Sequence, residues 1–457
     1  MTGHWSSWPP SAKRRFVQHS HEALDHAGGI ARSGLWKPLR HREFRLLYGG
    51  MCVSLLGDGA FLVALAWQVY AISSAPAALG IVGVAMTVPT IVFLLLGGVL
   101  SDRFDRRRLM LGADVVRGIA VGTLGMLSLT GAVELWHVVV LAVFYGSGQA
   151  FFAPAFDAIV PELVPRDELG QANALDQMVR PIALRLAGPA LGGLVVGALG
   201  AGTAFMLDAA SFAISAGALL AMRAPVARER DTGATVVADL REGWRFVWGH
   251  TWLWVTFLTA AIAYFLFIGP VEVLLPYLIK EELLGSATEL GFVFAAGGLG
   301  SVLFALLVGR RGLPRRDITF MYLVWTLGTL SVAGYGLATA VWQLMLVSLA
   351  FNALETAGTI VWITAKQRHV PAAMLGRVSS LDWLISIGLV PISFALTGPV
   401  SSAMGARATL VVAGVLGAMV TLAGLLVPGV RSLESAGLPA AAPNDQAEAV
   451  EPELAHA

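Results

Sequence analysis

Twelve stretches of about twenty predominantly apolar residues run through the chain, the length a helix needs to cross a bilayer. They fall near 46–70, 77–100, 109–130, 137–158, 174–196 and 203–222, and then near 252–276, 288–309, 318–337, 342–365, 378–400 and 407–427. Each is apolar on all sides rather than at alternate residues, so the spans are helices and not barrel strands. The expected fold class is an all-α integral membrane protein of twelve transmembrane helices, six on either side of a polar interval. For 457 residues, two or three soluble domains would otherwise be the expectation. Charged residues make up only 13% of the chain, about half the share of a soluble domain, too few to solvate a surface of that size. A formal net charge of +1 argues against a nucleic-acid partner. A single cysteine, Cys52, excludes an internal disulfide framework and a thiolate zinc cluster. Residues 1–45 contain no apolar core of the kind a cleaved secretory signal requires.

The basic residues give the orientation. If the N-terminus, the even-numbered connections and the C-terminus share one side, that side carries 26 of the 31 lysines and arginines. The opposite side carries Lys280 and Arg407, and Arg117, Arg180 and Arg185 fall within spans. By the positive-inside rule both termini are expected in the cytoplasm of a multi-pass cell-membrane protein. The organisation reads as a cytoplasmic segment (1–45), a six-helix bundle (46–222), a cytoplasmic loop (223–251), a second six-helix bundle (252–430) and a tail (431–457). Within the loop, apolar or aromatic residues at 240, 244, 247 and 248 suggest an amphipathic helix lying on the interface. The tail, rich in Ala, Pro and acids, is expected to be disordered, as is much of the first thirty residues.

The halves carry a repeat. Val164-Pro165 through Gly170 precedes span five and Val370-Pro371 through Gly376 precedes span eleven, 206 residues apart. The register continues to Leu175-Asp176 against Leu381-Asp382, and Gly188-Pro189 is echoed by Gly398-Pro399, now 210 apart. Parallel repeats of this kind place a substrate path between the halves near the midplane.

Between spans two and three, Gly98, Asp102, Arg103, Arg106 and Arg107 stand in a pattern that resembles the cytoplasmic signature of the major facilitator superfamily, G-x-x-x-D-R-x-G-R-R. Asp105 occupies the position of the signature's second glycine. The resemblance implies a conformational latch, with Gly98 permitting close helix approach and Asp102 pairing in one state only. In span five, Gly188-Pro189-Ala190-Leu191-Gly192-Gly193 is similar to the end of the antiporter motif of drug:proton exporters. The motif's upstream glycine is Leu184 here. Pro189 removes one helical donor and the glycines permit bending, so Gly188, Pro189, Gly192 and Gly193 are candidate hinge residues. Leu56-Gly57-Asp58-Gly59 and Pro154 through Pro165 resemble the enterobactin-exporter and macrolide-efflux branch.

Ionisable residues at depth are functional candidates by default. Asp58 and Glu355 lie near the middle of spans one and ten, which with spans four and seven line the central cavity in the superfamily. A carboxyl that can gain and lose a proton there is what a proton carrier requires. Arg185, mid-span, has no acidic partner one turn away and needs a carboxylate from another helix or an anionic substrate group. Asp176 and Arg180 are spaced i, i+4 with the acid first, a favourable pair. Glu272 follows Gly269-Pro270 towards the outer end of span seven, a candidate gate residue. Asp208 is expected near the headgroups in a structural role. Asp114 and Arg117, i, i+3 in span three, are expected to support the latch. The resemblance offers Phe61, Trp67, Tyr145, Phe265, Phe267, Phe351 and Trp362 as candidates for the cavity wall. Exporters of this type carry an arginine in span four, but 138–158 holds no basic residue. That leaves Arg185 for the role, or a different coupling.

No lysine stands in a phosphate-binding loop, and no histidine lies deep in a span. No metal site and no cofactor are expected. The function expected is secondary export of amphipathic small molecules (drug, siderophore or lipid-like metabolite) by proton-coupled alternating access. The protein is expected to be a non-enzymatic monomer whose partners are substrate, protons and bilayer. A proton-linked importer and an intramembrane enzyme are the alternatives.

Overall fold

The computed structural model describes residues 36–103, 105–165, 168–223, 236–311, 314 and 316–435. The N-terminal segment before Trp36 and the tail from 436 lie outside the described residues, as do the side chains of Gly98, Asp102 and Arg103.

Among the described residues twelve helices are long and apolar enough to cross a membrane. We number them α1 (Arg42–Ile72), α2 (Pro76–Arg103), α3 (Arg106–Leu129), α4 (Leu135–Leu163), α5 (Leu169–Leu199) and α6 (Ala201–Ala221). After the linker helix Val236–Trp248 come α7 (Thr251–Tyr277), α8 (Ala287–Arg311), α9 (Asp317–Leu337), α10 (Val341–His369), α11 (Ala372–Gly388 continued by Val390–Met404) and α12 (Ala406–Leu426).

The first six pack as one bundle and the last six as another, with the same pairings. α2 lies on α4, α1 and α3 on α6, and α3 on α4; six helices later, α8 lies on α10, α7 and α9 on α12, and α9 on α10. The bundles meet through α5 against α8 and α2 against α11, contacts that exchange under the same repeat. Gly200 (φ +83°) and Gly405 (φ +87°) make the equivalent tight connections into α6 and α12, where only glycine adopts the left-handed backbone without strain.

Both repeat-related helices are interrupted, within a turn or two of the aligned prolines Pro181 and Pro391. In α5 a π-helical turn, Ile182–Ala187, immediately precedes Gly188-Pro189. Pro189 has no N–H and its ring crowds the carbonyl four residues back, that of Arg185, so the wider turn absorbs the misfit. In α11 the break falls at Leu389, just before Pro391. The segments align as Pro181-Ile182 with Gly188-Pro189 against Pro391-Ile392 with Gly398-Pro399. The extra four residues between Asp382 and Pro391 amount to about one helical turn.

The α2–α3 loop explains its own departure from the signature. Asp105 caps α3, its carboxylate accepting from the N–H groups of Arg107 (2.9 Å) and Arg108 (3.4 Å), which offsets the loss of the glycine. Arg106 bridges to Glu162 and donates to the Ala158 carbonyl (3.1 Å), while Arg107 donates to the Leu220 carbonyl (3.0 Å). These arginines fasten the start of α3 to the ends of α4 and α6, where cations are favoured.

Polar contacts between the bundles lie towards the face opposite this loop. Tyr70 donates to the Val273 carbonyl (2.7 Å), Lys280 to the Trp67 carbonyl (3.3 Å) and Thr288 to the Gly193 carbonyl (3.1 Å). Gly193 and Gly291 cross so closely that a Cβ on either would come within 2.8 Å of the other's Cα.

Candidate functional site

The α1–α3–α4–α6 interior holds a buried ionic network. The Tyr145 hydroxyl donates to Asp58 at 2.6 Å, and Arg117 reaches Asp58 at 3.7 Å and Asp114 at 2.7 Å. Beside them Asp208, completely buried, accepts from Ser211 at 3.1 Å. Phe152 and Phe212 flank the Arg117 guanidinium at 4.8 and 4.4 Å, a cation–π clamp. Phe61 stacks on Tyr145 with ring centroids 4.5 Å apart. Gly57 leaves room for the Asp208 carboxylate, and Gly148 leaves room for the Arg117 stem, since a Cβ at 148 would lie 2.7 Å from Arg117 Cγ. One oxygen each of Asp114 and Asp208, and Arg117 Nε, are buried with no hydrogen-bond partner. Three carboxyls thus share one guanidinium in an apolar bundle. Charge balance there asks for bound protons, because an uncompensated buried charge costs several kcal/mol.

This differs from two expectations. Arg117 and Asp114 do not sit at the loop end of α3 as latch supports: Arg117 lies eleven residues into the helix, about 17 Å along it, with Asp58 as its second acidic partner. Asp208 is not near the headgroups but at the centre of the network. Hydropathy places Asp114 and Arg117 too close to the surface, because α3 starts at Arg106, before its apolar stretch.

The corresponding interior of the second bundle is filled differently. Tyr264 stands 206 residues after Asp58, Trp325 208 after Arg117 and Glu355 210 after Tyr145. Their neighbours match too: the glycine against Trp325 is Gly358, 210 residues after Gly148. Here the residues enclose a cavity of about 20 Å³ lined by Thr259, Tyr264, Phe267, Trp325, Thr421 and Glu355, room for a water molecule. The Glu355 carboxylate has no hydrogen bond or ion pair among the described residues. Arg185 is the cation whose charge reaches Glu355, Glu272 and Tyr264. It is exposed on the π-helical turn of α5, and Glu272 is exposed on α7. The structure therefore groups Arg185 with Glu272 and Glu355, and Asp58 with Arg117.

Arg180 pairs with Asp176 on its own helix at 3.1 Å, as the spacing implies. Gly188 and Gly192 pack α5 against Gly59 and Ala60 of α1, and Gly193 packs it on α8. Among the aromatics, Phe61, Tyr145, Phe267, Phe351 and Trp362 are buried within the bundles rather than presented between them, while Trp67 and Phe265 are half-buried. Trp362 donates to Asp382 at 2.8 Å, and Asp382 also bonds Lys366, an inward pair in the second bundle. Counting charges along the sequence puts Lys366 on the basic rim, but the structure buries it. The 206-residue match of Asp176 and Asp382 is the signal that could have found it. Among the described residues no group of three His, Cys, Asp or Glu is placed to hold a metal ion.

The known proteins agree with this architecture. The chain is 28% identical over 397 residues to the multidrug efflux pump Tap of Mycolicibacterium fortuitum, covering 84% of this chain and 95% of that protein. It is 29% identical over 393 residues to the enterobactin exporter EntS of Shigella boydii, covering 82% and 91%. In fold it matches the nucleoside transporter NupG (TM-score 0.61, 12% identity, 82% and 98% covered) and a bacterial homologue of the iron transporter ferroportin (0.62, 18%, 85% and 99%). The model of the transmembrane secretion effector family matches residues 33–456. The chain therefore belongs to the transmembrane secretion effectors, a family of major facilitator membrane transporters.

Proposed function

We propose that this transporter exports amphipathic small molecules in exchange for protons, by alternating access of the space between its two bundles. The observation that carries the reading is the α1–α3–α4–α6 network, where Asp58, Asp114 and Asp208 surround the single cation Arg117. A buried excess of carboxyls is a proton store, and a change in its occupancy alters the charge the bundle must hold as it moves. Glu355, beside a water-sized cavity and without a partner among the described residues, is a second proton acceptor. Arg185 and Glu272 are the polar contacts for substrate.

Export as the direction is supported by the efflux pump and siderophore exporter to which the chain is similar. The basic face is the cytoplasmic one and both termini lie there. Polar contacts on the opposite face hold one arrangement of the bundles, and the α2–α3 loop, with Gly98, Asp102 and Arg103, holds the other. The π-helical turn before Gly188-Pro189 is the flexing element of α5. The protein works as a monomer and without a cofactor.

Purified protein in proteoliposomes tests this. Flux of an amphipathic fluorescent dye should follow an imposed pH gradient, with the dye moving against the proton. Flux indifferent to the gradient removes proton coupling, and flux in the direction of the proton makes the protein an importer.

A further inference from the structure

A second cavity, of about 240 Å³, opens between the starts of α1 and α5 and the end of α4. On α1, Tyr48 in its wall stands ten residues before Asp58, about 15 Å along the helix from the ionic network. The cavity thus lies at the end of the first bundle nearest the basic rim. Its wall combines three rings, Phe44, Tyr48 and Phe156, with Asp157, Asn173 and Asp176.

The wall's charges do not cancel. Asp176 is held by Arg180 through two hydrogen bonds, at 3.1 and 3.2 Å, and that guanidinium lies 5.6 Å from the Phe156 ring. Asp157 is exposed and has no hydrogen bond or ion pair among the described residues. Arg106, one helix away, is engaged with Glu162 and the Ala158 carbonyl. The charge of Arg180 also reaches Asp157, so two carboxylates share one guanidinium and the cavity presents one net negative charge, one amide and aromatic edges. The rings do not collapse into the space because they are anchored elsewhere. Phe44 stacks on Tyr48 at 5.4 Å, the Tyr48 hydroxyl is bound to the Leu175 carbonyl at 2.7 Å, and Phe156 stacks on Phe152 at 6.3 Å.

We propose that this cavity is a binding site for an organic monocation carrying an aromatic ring, with Asp157 as the counter-ion and Asn173 as the polar contact. An anion would meet a wall of net negative charge, and a neutral arene would leave that charge unmatched. A cation that is apolar elsewhere satisfies both wall chemistries, by charge pairing and by contact with the rings. In the exporter proposed above, on which this role rests, the site captures substrate from the cytoplasmic side before it reaches the space between the bundles. The binding itself needs no gradient.

The test is calorimetric titration of the detergent-purified full chain with benzyltriethylammonium, and with benzenesulfonate as the anionic counterpart. Binding of the cation and not the sulfonate is expected, weakened about tenfold or more in Asp157→Asn, the loss of roughly 1.4 kcal/mol. Asp157→Glu should restore most of it. A melting temperature unchanged in both variants excludes a folding defect. No binding of the cation by the wild-type chain, or equal binding by Asp157→Asn, overturns the site. The two readings fail separately: dye flux that ignores a pH gradient removes proton coupling and leaves this binding intact, whereas binding that ignores Asp157 removes the capture site and leaves coupling intact.

Discussion

Helices α1, α3 and α4 enclose Asp58, Arg117 and Tyr145, with Asp208 beside them on α6, whereas α7, α9 and α10 bring Tyr264, Trp325 and Glu355 to the corresponding places. The scaffold is shared down to the glycine that admits the α3 or α9 side chain, Gly148 or Gly358. Even the carboxyl and phenol are present in both, with their helices exchanged: acid on α1 and tyrosine on α4 in the first bundle, tyrosine on α7 and acid on α10 in the second. What differs is the central residue. A guanidinium in the first bundle draws three carboxyls around it and closes the interior. An indole in the second gathers hydroxyls and rings, and leaves a small cavity beside an unpaired acid. One architecture thus supports an ionic core with an excess of carboxyls and an aromatic core that can admit water.

The comparison breaks most readily at its centre. Arg117→Leu leaves buried carboxyls with no counter-charge and should cost about 3–5 kcal/mol, seen as loss of monodisperse protein in size-exclusion chromatography. Trp325→Leu should cost clearly less, because Trp325 is half-buried and its indole balances no charge. Equal losses would mean that the two interiors do not differ in kind. Next come the paired glycines. Gly148→Ala drives a Cβ against Arg117 Cγ and to 3.0 Å from the Ala113 carbonyl, an overpacking cost of about 1–3 kcal/mol. Gly358→Ala brings a Cβ to 2.3 Å from the Trp325 indole nitrogen, so a drop in melting temperature at least as large is expected, and a clearly smaller one would show that the cavity beside Trp325 lets the ring give way.

The smallest effect concerns how each half is tethered outside the membrane. Glu168 accepts from Lys37 and His41 (3.0 and 2.9 Å) ahead of α5, and the Lys37 bond, then that of His41, holds its carboxyl below the ordinary 4.5. A depressed value makes this contribution complete above pH 4.5 and lost as the pH falls further. In the second half Glu434, after α12, accepts from the Thr319 N–H (2.6 Å) and hydroxyl (2.8 Å). Limited proteolysis around residues 36–42 should rise slightly below pH 4.5, and Glu168→Gln should show the raised rate already at neutral pH.

The spans, their number and the two-bundle fold were legible in the sequence, because hydrocarbon thickness imposes a length and apolar residues report it directly. Asp58, Glu355 and Arg185 stood out for the same reason. Their partners did not. Which acid meets Arg117 depends on helix rotation and on where α3 begins, and Asp105, a cap hidden in a basic loop, starts that helix before its apolar stretch. Burial of the aromatics was equally invisible, since a ring in an all-apolar helix has no polar face to orient it. The repeat held more than its motifs suggested: the 206-residue offset pairs Asp58 with Tyr264, a relation that acquires meaning only once Tyr145 and Glu355 are seen across from them.

The central claim is that the ionic core of the first bundle carries the coupling proton, and Asp58→Asn tests it most directly. The amide oxygen introduced there can still accept the Tyr145 hydroxyl, and Asp114 still neutralises Arg117, so the protein should fold. In proteoliposomes, dye exchange without a pH gradient should persist while gradient-driven export is abolished. Gradient-driven export at the wild-type rate in Asp58→Asn would contradict the account.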